Sequence, residues 1–426
     1  MKKYTIDRRG FLRVAGAAAA GFPYVVRSSA LGKEGSVPAS ERITMGCIGV
    51  GGRGSSNMRA FLGRKQVQIL AVCDVDKNHR DRAKKTVDDK YGNSDCKAYL
   101  DFREVIVRED IDALSLALPD HWHSIPAIMG ARYGKDMYAE KPLARTIREG
   151  RAMVEAVERY GRVWQTGSQQ RSTANFHKAC ELVRNGRIGK VSRVEVGLPT
   201  GRPGGNPPVQ PPPPGLDWDF WLGPAPERPY HPAYHPWRWR DWRDFGTGPL
   251  GDMGCHILST VFKALKLRYP ISIEAICREI GPEVHPREFK VHYEFPARGG
   301  LPPVRVTWYD SGFDSPRPKD LEPGRRLSSP IYIGERGTLM DHMLIPESKR
   351  KAYGMPPKVL SRSPGQYQEW IDACRGGSPA DRGSDRRRSR LCGRDDRKAN
   401  IRRDLFARHG PCRGRAGRVR RGLGLV

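Results

Sequence analysis

The sequence predicts an α/β protein built from a doubly wound parallel sheet followed by a second α/β domain with a mostly antiparallel sheet. Three observations support this prediction. Strand-like and helix-like patterns alternate from residue 41 to residue 165. A glycine-rich turn at residues 49–54 separates the first apolar run from the first helical pattern. After residue 270, short strand-like runs follow one another with few helical patterns between them.

The first half contains short apolar runs of strand length, each followed by a segment with helical spacing. The runs predicted as strands are 43–48, 67–72, 111–118, 136–139 and 162–166, and the segments predicted as helices are 55–63, 125–133 and 147–160. A parallel sheet needs this alternation because each crossover between parallel strands requires a connecting element.

The turn after the first strand has the spacing of a dinucleotide-binding fingerprint. Gly49 permits the tight turn, Gly51 lets the backbone approach a pyrophosphate, and Gly54 lets the helix pack closely on the strand. The phosphates would lie at the helix N-terminus, where unpaired N–H groups and the helix dipole favour anions. We therefore predict cofactor contacts from these three glycines and from Gly52 and Arg53 between them.

An acidic residue closes the second predicted strand. Asp74 follows the run 67–72 and lies twenty positions after Gly54. A carboxylate at this place accepts hydrogen bonds from a ribose diol and repels a 2′-phosphate. The sequence therefore favours NAD over NADP as the cofactor.

Two further segments follow predicted strands and should line the same crevice. They are the segment from Pro119 to His123 and the segment from Glu140 to Pro142. Loops at the carboxyl ends of parallel strands form the ligand site of such sheets. Lys141 would then lie beside the reacting group, where its ammonium can stabilise a developing alkoxide.

The second half is predicted to be a substrate domain over residues 166–380. Predicted helices cover 176–184 and 251–265, and predicted strands cover 191–196, 271–280, 288–294, 304–308 and 331–333. On the second helix, Asp252 and His256 are four residues apart and share one face. A histidine beside a carboxylate can act as a general base for a hydroxyl proton, although such a pair can equally serve only the packing of its helix.

Five of the nine tryptophans fall between residues 217 and 244. Trp237, Arg238 and Trp239 are candidate substrate contacts, because aromatic rings with polar edges suit sugar faces. The same composition also suits a long loop that packs on itself or forms a subunit interface. His231 and His235 are four residues apart, but flanking prolines argue against a helix, so we predict no metal pair there.

Both ends of the chain differ in composition from the rest. Residues 1–30 carry Arg8-Arg9, an apolar stretch too short for a comfortable membrane span, and small residues suited to cleavage. This pattern resembles a twin-arginine export signal. It predicts recognition by the Tat export machinery, a periplasmic or otherwise exported protein, and no stable membrane span after cleavage; an uncleaved N-terminal anchor is the alternative.

The tail from residue 381 to residue 426 contains fifteen Arg and one Lys against five Asp, a net charge of +11 out of +28 for the chain. It lacks the interleaved aromatics of a nucleic-acid-binding segment, so we predict no nucleic-acid partner. Its abrupt change in composition favours a reading-frame shift over a genuine basic tail. In either case, it has too little apolar material to pack.

The nine cysteines include no CxxC pair, and we predict neither a required disulfide nor a zinc site.

Taken together, Glu140-Lys141-Pro142, the segment Pro119 to His123, and the segment Gly248 to His256 resemble the Gfo/Idh/MocA oxidoreductases. The resemblance spans roughly residues 43–374 and implies a Rossmann domain followed by an α/β domain with an open, mostly antiparallel sheet. It implies that Lys141 contacts the reacting hydroxyl, that His256 is the acid/base, and that Asp252 holds substrate or His256. It also implies that Glu140 and His123 touch the cofactor and that Lys141–Pro142 is a cis peptide. The family ends with another apolar helix and strand, which residues 381–426 do not show.

Three functions remain open from the sequence. The first is an exported NAD-dependent dehydrogenase for a sugar, a polyol or a sugar derivative, acting as a homo-oligomer. The second is a glycoside hydrolase of the same superfamily, in which the cofactor is reduced and reoxidised within each cycle. The third is a non-catalytic binding protein that keeps the fold.

Overall fold

The protein is described by a computed structural model that covers residues 37–198, 207–278, 280–286, 288–377 and 419–422. The chain divides into two compact units, residues 1–42 and residues 43–426. In the first unit, the described part contains a single turn of 3-10 helix at Ala39–Glu41. The predicted export signal and most of the arginine-rich tail lie outside the described residues.

The first half of the second unit is a six-stranded parallel sheet in the order β3-β2-β1-β4-β5-β6. Its strands are β1 (Ile43–Ile48), β2 (Val67–Cys73), β3 (Lys97–Tyr99), β4 (Ala113–Leu116), β5 (Asp136–Ala139) and β6 (Trp164–Thr166). The strand order reverses between β1 and β4, which is where such sheets open a crevice for ligands. The predicted doubly wound parallel sheet is therefore confirmed.

Helices cover this sheet and are capped by side chains at several of their N-termini. They are α1 (Gly52–Leu62), α2 (Lys77–Tyr91), α3 (Phe102–Ile106), α4 (Ser124–Arg132) and α5 (Ile147–Arg159). Asp76 caps α2 by accepting a hydrogen bond from Asn78 N. Thr146 and Glu149 form a reciprocal capping box at α5. These caps fix where each helix leaves the edge of the sheet.

The helix after the glycine turn begins earlier than its sequence predicts. We expected it to start at Ser55, whereas α1 begins at Gly52 with Gly51 as its N-cap. The propensity of glycine argues against a helical position, but the close packing of the turn determines the local backbone. The consequence is that the helix N-terminus lies within the glycine turn itself.

The second half contains an eight-stranded sheet in the order β13-β12-β11-β7-β10-β9-β8-β14. Its first seven strands along the chain are β7 (Val191–Gly197), β8 (Ser272–Cys277), β9 (Phe289–Phe295), β10 (Val304–Tyr309), β11 (Ile331–Gly334), β12 (Gly337–Met340) and β13 (Met343–Ile345). Among the described strands, the pairing of β7 with β10 is parallel and the other pairings are antiparallel. The predicted mostly antiparallel sheet is confirmed.

Helices of the second half pack against this sheet and over the crevice of the first. They are α6 (Ala174–Arg184), α7 (Trp218–Leu222), α8 (Gly248–Leu265) and α9 (Glu347–Tyr353). The apolar faces of α6 and α8 join the inward residues of β7, β9 and β10 in one buried core. Within the described ranges, no helix is both long enough and apolar enough to cross a membrane.

The last described helix, α10 (Gln366–Cys374), returns to the first domain. The fully buried Trp370 donates a hydrogen bond from Nε1 to the Met137 carbonyl at 3.0 Å, and its ring packs edge-on against Phe61. The sequence-based boundary placed residues up to 380 in the substrate domain, whereas α10 packs against the first domain. Local pattern identifies an amphipathic helix but not the surface on which it packs.

A short strand also forms within the arginine-rich tail. Residues Val419–Gly422 form β14, which pairs antiparallel with the edge strand β8. We expected the tail to have too little apolar material to pack, and that expectation did not consider pairing through the backbone. Edge pairing depends on backbone hydrogen bonds and so does not require an apolar pattern.

Candidate active site

The glycine turn forms a backbone cradle at the end of β1. Gly49 has a φ of 76°, and a Cβ placed there would lie 2.3 Å from the Ala117 carbonyl oxygen. A Cβ at Gly54 would lie 1.8 Å from the Gly49 carbonyl oxygen. Only glycine fits these two positions without moving the backbone. Among the described residues, no side chain caps α1 at Gly51, which leaves the first N–H groups of the helix without a capping partner. Gly52, Arg53 and Gly54 of this first turn line the cavity.

Asp74 lies beside this cradle, at the end of β2. Its Oδ2 accepts a hydrogen bond from Val50 N at 2.8 Å, and its Oδ1 accepts one from Asp76 N at 3.0 Å. These two bonds fix the carboxylate while leaving lone pairs directed at the cavity. The cradle, the open helix N-terminus and this carboxylate fit the pyrophosphate and one ribose of a nicotinamide dinucleotide.

Glu140, at the end of β5, organises the opposite wall. Its buried Oε1 accepts hydrogen bonds from Arg53 Nε at 2.9 Å, Asn57 Nδ2 at 2.9 Å and Gln169 Nε2 at 2.7 Å. Gly167 leaves room for the carboxylate, because a Cβ there would lie 2.5 Å from Oε1. Glu140 thus joins α1 to the segments that follow β5 and β6, and it lines the cavity as predicted.

Lys141 and Asp252 form an ion pair between the two domains. Lys141 Nζ contacts Asp252 Oδ1 and donates a hydrogen bond to the Asp252 carbonyl oxygen at 2.9 Å. The Lys141–Pro142 peptide is cis, as the family resemblance implies. Burial alone would raise the pKa of Asp252, but Lys141 and Arg240 lower it below its ordinary value. The Asp252 carboxylate is therefore charged in the neutral pH range.

His256 lies one turn further along α8 and lines the same cavity. Burial, reinforced by the nearby Lys141 ammonium, lowers the pKa of His256 to about 4. Its buried Nδ1 has no hydrogen-bond partner among the described residues. A neutral imidazole that lines a cavity has a lone pair with which it can accept a proton from a bound hydroxyl.

Arg240 belongs to this cluster and was missed from the sequence. Its Nε lies 3.5 Å from Asp252 Oδ2, and its guanidinium stacks 4.2 Å from the Trp239 ring centroid. Arg240 lines the cavity together with Trp237 and Trp239. The spacing of arginines among the tryptophans was visible, but four arginines lie in that segment and the pattern does not distinguish them.

Asp120 connects the loop after β4 to the helix that carries Asp252 and His256. Its Oδ2 accepts hydrogen bonds from Thr247 N at 2.9 Å and from Thr247 Oγ1 at 2.7 Å, and Thr247 is the N-cap of α8. Because Asp120 follows β4 and Thr247 begins α8, these two hydrogen bonds fix α8 relative to the first sheet. Burial raises the pKa of Asp120 to about 7.

Two residues predicted to contact a ligand do not line the cavity. His123 does not line the cavity; it is buried, and its Nε2 lies 2.7 Å from the Leu118 carbonyl oxygen. Its imidazole therefore supports the loop that begins at Leu118, while Pro119 lines the cavity as expected. Arg238 is exposed and also lies outside the cavity wall, because the 3-10 helix at Arg238–Asp241 turns the side chain of Arg240 inward instead.

The tryptophan-rich segment mainly packs on itself. Trp218 stacks on Trp221 with ring centroids 4.8 Å apart, and Trp221, Trp239 and Trp242 are buried in one cluster. Trp237 differs, because 69% of its surface is exposed while its ring lines the cavity. Of the two sequence-based interpretations of the segment, loop packing accounts for these three buried rings, and Trp237 keeps a ring face available to a ligand.

These parts enclose one cavity of about 750 Å³ that runs from Asp74 to His256. Its volume is in the range of small-molecule and cofactor sites. The glycine turn and Asp74 lie at one end, and Lys141, Asp252 and His256 lie at the other. The remaining predicted contacts, Gly52 and Arg53, lie on its wall. The arrangement places a cluster of ionisable side chains in the same cavity as the glycine turn.

Comparison with known proteins identifies both halves. Residues 43–168 match a model described as the oxidoreductase family, NAD-binding Rossmann fold, of the Gfo/Idh/MocA group. Residues 200–295 match the C-terminal alpha/beta domain of the same family. These two matches together cover more than half of the chain.

Several relatives have names that concern carbohydrates. A glycosyl hydrolase family 109 protein 1 of Shewanella sp. strain MR-4 is 32% identical over 179 residues, which is 37% of this chain and 38% of that protein. An alpha-N-acetylgalactosaminidase of Shewanella oneidensis is 29% identical over 219 residues, 45% of this chain and 46% of that protein. The chain thus spans less than half the length of these curated relatives.

Among solved structures, the fold resembles the WlbA dehydrogenase of Chromobacterium violaceum in complex with NADH and UDP-GlcNAcA. The TM-score is 0.56 at 16% identity, covering 87% of this chain and 92% of that one. At that identity, the likeness shows the shared fold.

Proposed function

We propose, on the premise that this chain belongs to the Gfo/Idh/MocA oxidoreductase family, that it is an exported NAD-dependent oxidoreductase acting on a hydroxyl of a sugar, polyol or sugar derivative. The observation that carries the proposal is the convergence of Lys141, Asp252 and His256 at one end of a cavity whose other end is a dinucleotide cradle. Export rests on the twin-arginine pattern of residues 1–30.

The residues divide the chemistry between them. When bound, NAD supplies the acceptor for the hydride. The neutral His256 accepts the hydroxyl proton, because burial keeps its pKa at about 4 and leaves the imidazole uncharged in the neutral pH range. The Lys141 ammonium stabilises the negative charge that develops on the substrate oxygen. Asp252 holds that ammonium in place through the ion pair and through its own carbonyl oxygen.

Asp74 supports the choice of NAD over NADP. Its carboxylate is fixed by two backbone N–H groups at the place where the adenosine ribose binds in this fold. A 2′-phosphate there would bring a second negative charge against a carboxylate that cannot turn away. Measured NAD and NADP affinities of the wild type, and of Asp74→Ala, test this part separately.

The substrate class is inferred from two side chains of the tryptophan-rich segment that line the cavity. The exposed ring of Trp237 offers a flat apolar face, and Arg240 offers guanidinium donors close to Asp252. Such pairs of ring face and polar donors suit the two faces of a pyranose or cyclitol. We propose a small sugar or polyol as the substrate, Tat machinery as the export partner and a homo-oligomer as the working form.

The test is the absorbance of reduced nicotinamide with purified protein, NAD and a panel of free sugars, polyols and aryl glycosides. A sustained rise with one free sugar or polyol is expected, and that compound would identify the substrate class. No turnover of any compound, despite measured NAD binding, would overturn the catalytic assignment in favour of a binding protein.

A second candidate function is favoured by the names of the relatives. Several are called glycosyl hydrolase family 109 proteins, although each match covers less than half of either chain. In such a hydrolase, the cofactor would return to its starting state in each cycle. Release of the aryl group from an aryl glycoside only when NAD is present, with no net rise in reduced nicotinamide, would establish this function in place of the first.

A further inference from the structure

Three side chains of metal-ligand type meet at the adenosine end of the cavity. Asp76 and His79 come from the start of α2, and His235 comes from the tryptophan-rich segment more than 150 residues later. One ligand atom from each lies within 4.8 Å of the others. The sequence could not predict this group, because its members are brought together only by the packing of that segment over the first domain.

Each side chain keeps one atom available for a shared ligand. Asp76 uses Oδ1 to cap α2, so Oδ2 is left to face the two imidazoles. Asp76 Oδ2 lies 3.9 Å from His79 Nε2 and 3.8 Å from His235 Nε2. Both distances exceed those of a direct hydrogen bond. The three groups therefore point at a common centre without bonding to one another.

A second carboxylate orients one of the imidazoles. His79 Nδ1 faces Asp74 Oδ2 at 3.6 Å, and Asp74 is itself held by Val50 N. A proton on Nδ1 is favoured by this carboxylate, which leaves the lone pair of His79 at Nε2. Metal-binding histidines are commonly oriented in this way, by a carboxylate that faces the ring nitrogen not bound to the metal.

We propose that Asp76, His79 and His235 bind one divalent transition-metal ion of the zinc class. Zinc binds nitrogen and oxygen ligands at about 2.0–2.2 Å, which keeps ligand atoms of a tetrahedral site about 3.4 Å apart. The contacts of 3.8 and 3.9 Å need only a modest inward rotation of the side chains to reach that spacing. Three protein ligands leave a fourth position, which water fills in a site of this type.

The charges around the cluster are compatible with a dication. Asp74 and Asp76 contribute two carboxylates, while Arg80 donates a hydrogen bond to the Asp74 carbonyl oxygen at 2.7 Å. Arg82 is the nearby cation that acts on His79. Lys77 points away, toward Asp81. Two carboxylates and two neutral imidazoles balance a charge of +2.

The site would attach the tryptophan-rich segment to α2 across the mouth of the cavity. His79 and His235 both line that cavity, and Asp74 is shared between the metal cluster and the predicted ribose contact. A bound metal would therefore restrain the segment that covers the dinucleotide. It should slow the release of NAD, a consequence that rests on the proposed cofactor, whereas metal binding itself does not.

The test uses the whole purified chain after removal of metal with a chelator. Calorimetric titration with Zn²⁺ should show one site per chain, and Co²⁺ should give the visible absorption of a four-coordinate site. His235→Ala and His79→Ala should each weaken Zn²⁺ binding by about 100-fold or more, and Asp74→Asn by about 10–100-fold, as is usual for a residue that orients a ligand. Lys77→Ala is the matched control from the same helix start and should bind as the wild type does.

Thermal unfolding of each metal-free variant separates folding from binding. Zn²⁺ should raise the melting temperature of the wild type and of Lys77→Ala but not that of His235→Ala. The proposal is overturned if the wild type shows no saturable site, or if His235→Ala and His79→Ala bind Zn²⁺ like the wild type. Loss of the site with normal NAD turnover would leave the proposed oxidoreductase function intact, so the two proposals fail separately.

Discussion

His256 carries the proton-accepting role, and its environment sets the pH range in which that role is possible. Its pKa is lowered to about 4, so the imidazole is neutral above that value and becomes protonated below it. A protonated imidazole cannot accept the hydroxyl proton. We predict that kcat/KM stays level as the pH falls through 6.5, the ordinary value for histidine, and falls with a midpoint near 4.

The control for this pH profile concerns Asp120, whose pKa burial raises to about 7. Asp120→Asn removes one buried carboxyl group that titrates near neutral pH, so an inflection that arises from Asp120 should vanish in this variant. Tryptophan fluorescence at each pH establishes that the protein remains folded. An acid limb centred at 6–7 that persists in Asp120→Asn would contradict the assignment of His256.

We expect Lys141 to affect kcat strongly and the affinity for NAD only slightly. Removing its ammonium in Lys141→Ala takes away the charge that stabilises the developing alkoxide, and loss of such a donor typically costs about 10²–10³ in kcat. The NAD affinity should stay within a few-fold, because the cradle and Asp74 are unchanged. Lys85→Ala, an exposed lysine on α2, should leave kcat unaltered. Unreduced kcat in Lys141→Ala would remove it from the mechanism.

At this scale, the sequence could locate groups whose role depends on a short motif. The glycines, Asp74, Lys141, Asp252 and His256 all line the cavity, because a strand end or one helix turn fixes where each side chain points. His123 and Arg240 show the limit. The orientation of each side chain depends on how its loop packs against residues far away in the sequence. A local sequence pattern does not contain that information.

The glycine turn illustrates how one element determines binding. In Gly54→Ala, the added Cβ would lie 1.8 Å from the Gly49 carbonyl oxygen, so the turn and the N-terminus of α1 must move. We predict a loss of NAD affinity of about 5- to 150-fold, since overpacking of this kind typically costs about 1–3 kcal/mol. Gly63→Ala, at the other end of α1, places its Cβ 3.7 Å from the nearest atom and should bind NAD normally. Equal affinities for the two variants, measured by calorimetry, would show that the turn does not hold the cofactor.

The helices and strands that bury the most apolar surface were the ones whose positions the sequence predicted best. The strands of the first sheet are buried on both faces, and their apolar runs located β1, β2 and β5 to within a residue or so. Helix α2 was missed because Ala83 and Val87 are its only buried residues, and its exposed surface is highly charged. The short strands β12 and β13 were missed as well, since three or four residues are too few to show a period.

At the scale of the whole molecule, the site depends on segments that cross between the two domains. The Lys141–Asp252 ion pair and the Asp120–Thr247 bonds join the first sheet to α8. The segment before α7 lies against the start of α2, where Lys77 N donates a hydrogen bond to the Gly215 carbonyl oxygen. The sequence predicted both domains but not these contacts between them. The periodicity of a helix or strand shows which of its faces is buried, but not which other element packs against that face.

Helix α10 follows the second domain in the sequence but packs against the first domain, outside the cavity. We expect this packing to support the binding of NAD. Trp370 is fully buried against β5 and α1, and the neighbouring Tyr367 donates a hydrogen bond to Asn57 Oδ1 at 2.9 Å, next to the Glu140 carboxylate. Trp370→Ala should therefore lower the free energy of unfolding by about 3–5 kcal/mol and weaken NAD binding, because α1 loses the helix that supports it. Tyr353→Ala removes a partly exposed ring from α9 and should change neither quantity. Denaturant unfolding and NAD titration of both variants test this, and a Trp370→Ala protein with wild-type stability would mean that α10 is not part of the first domain's core.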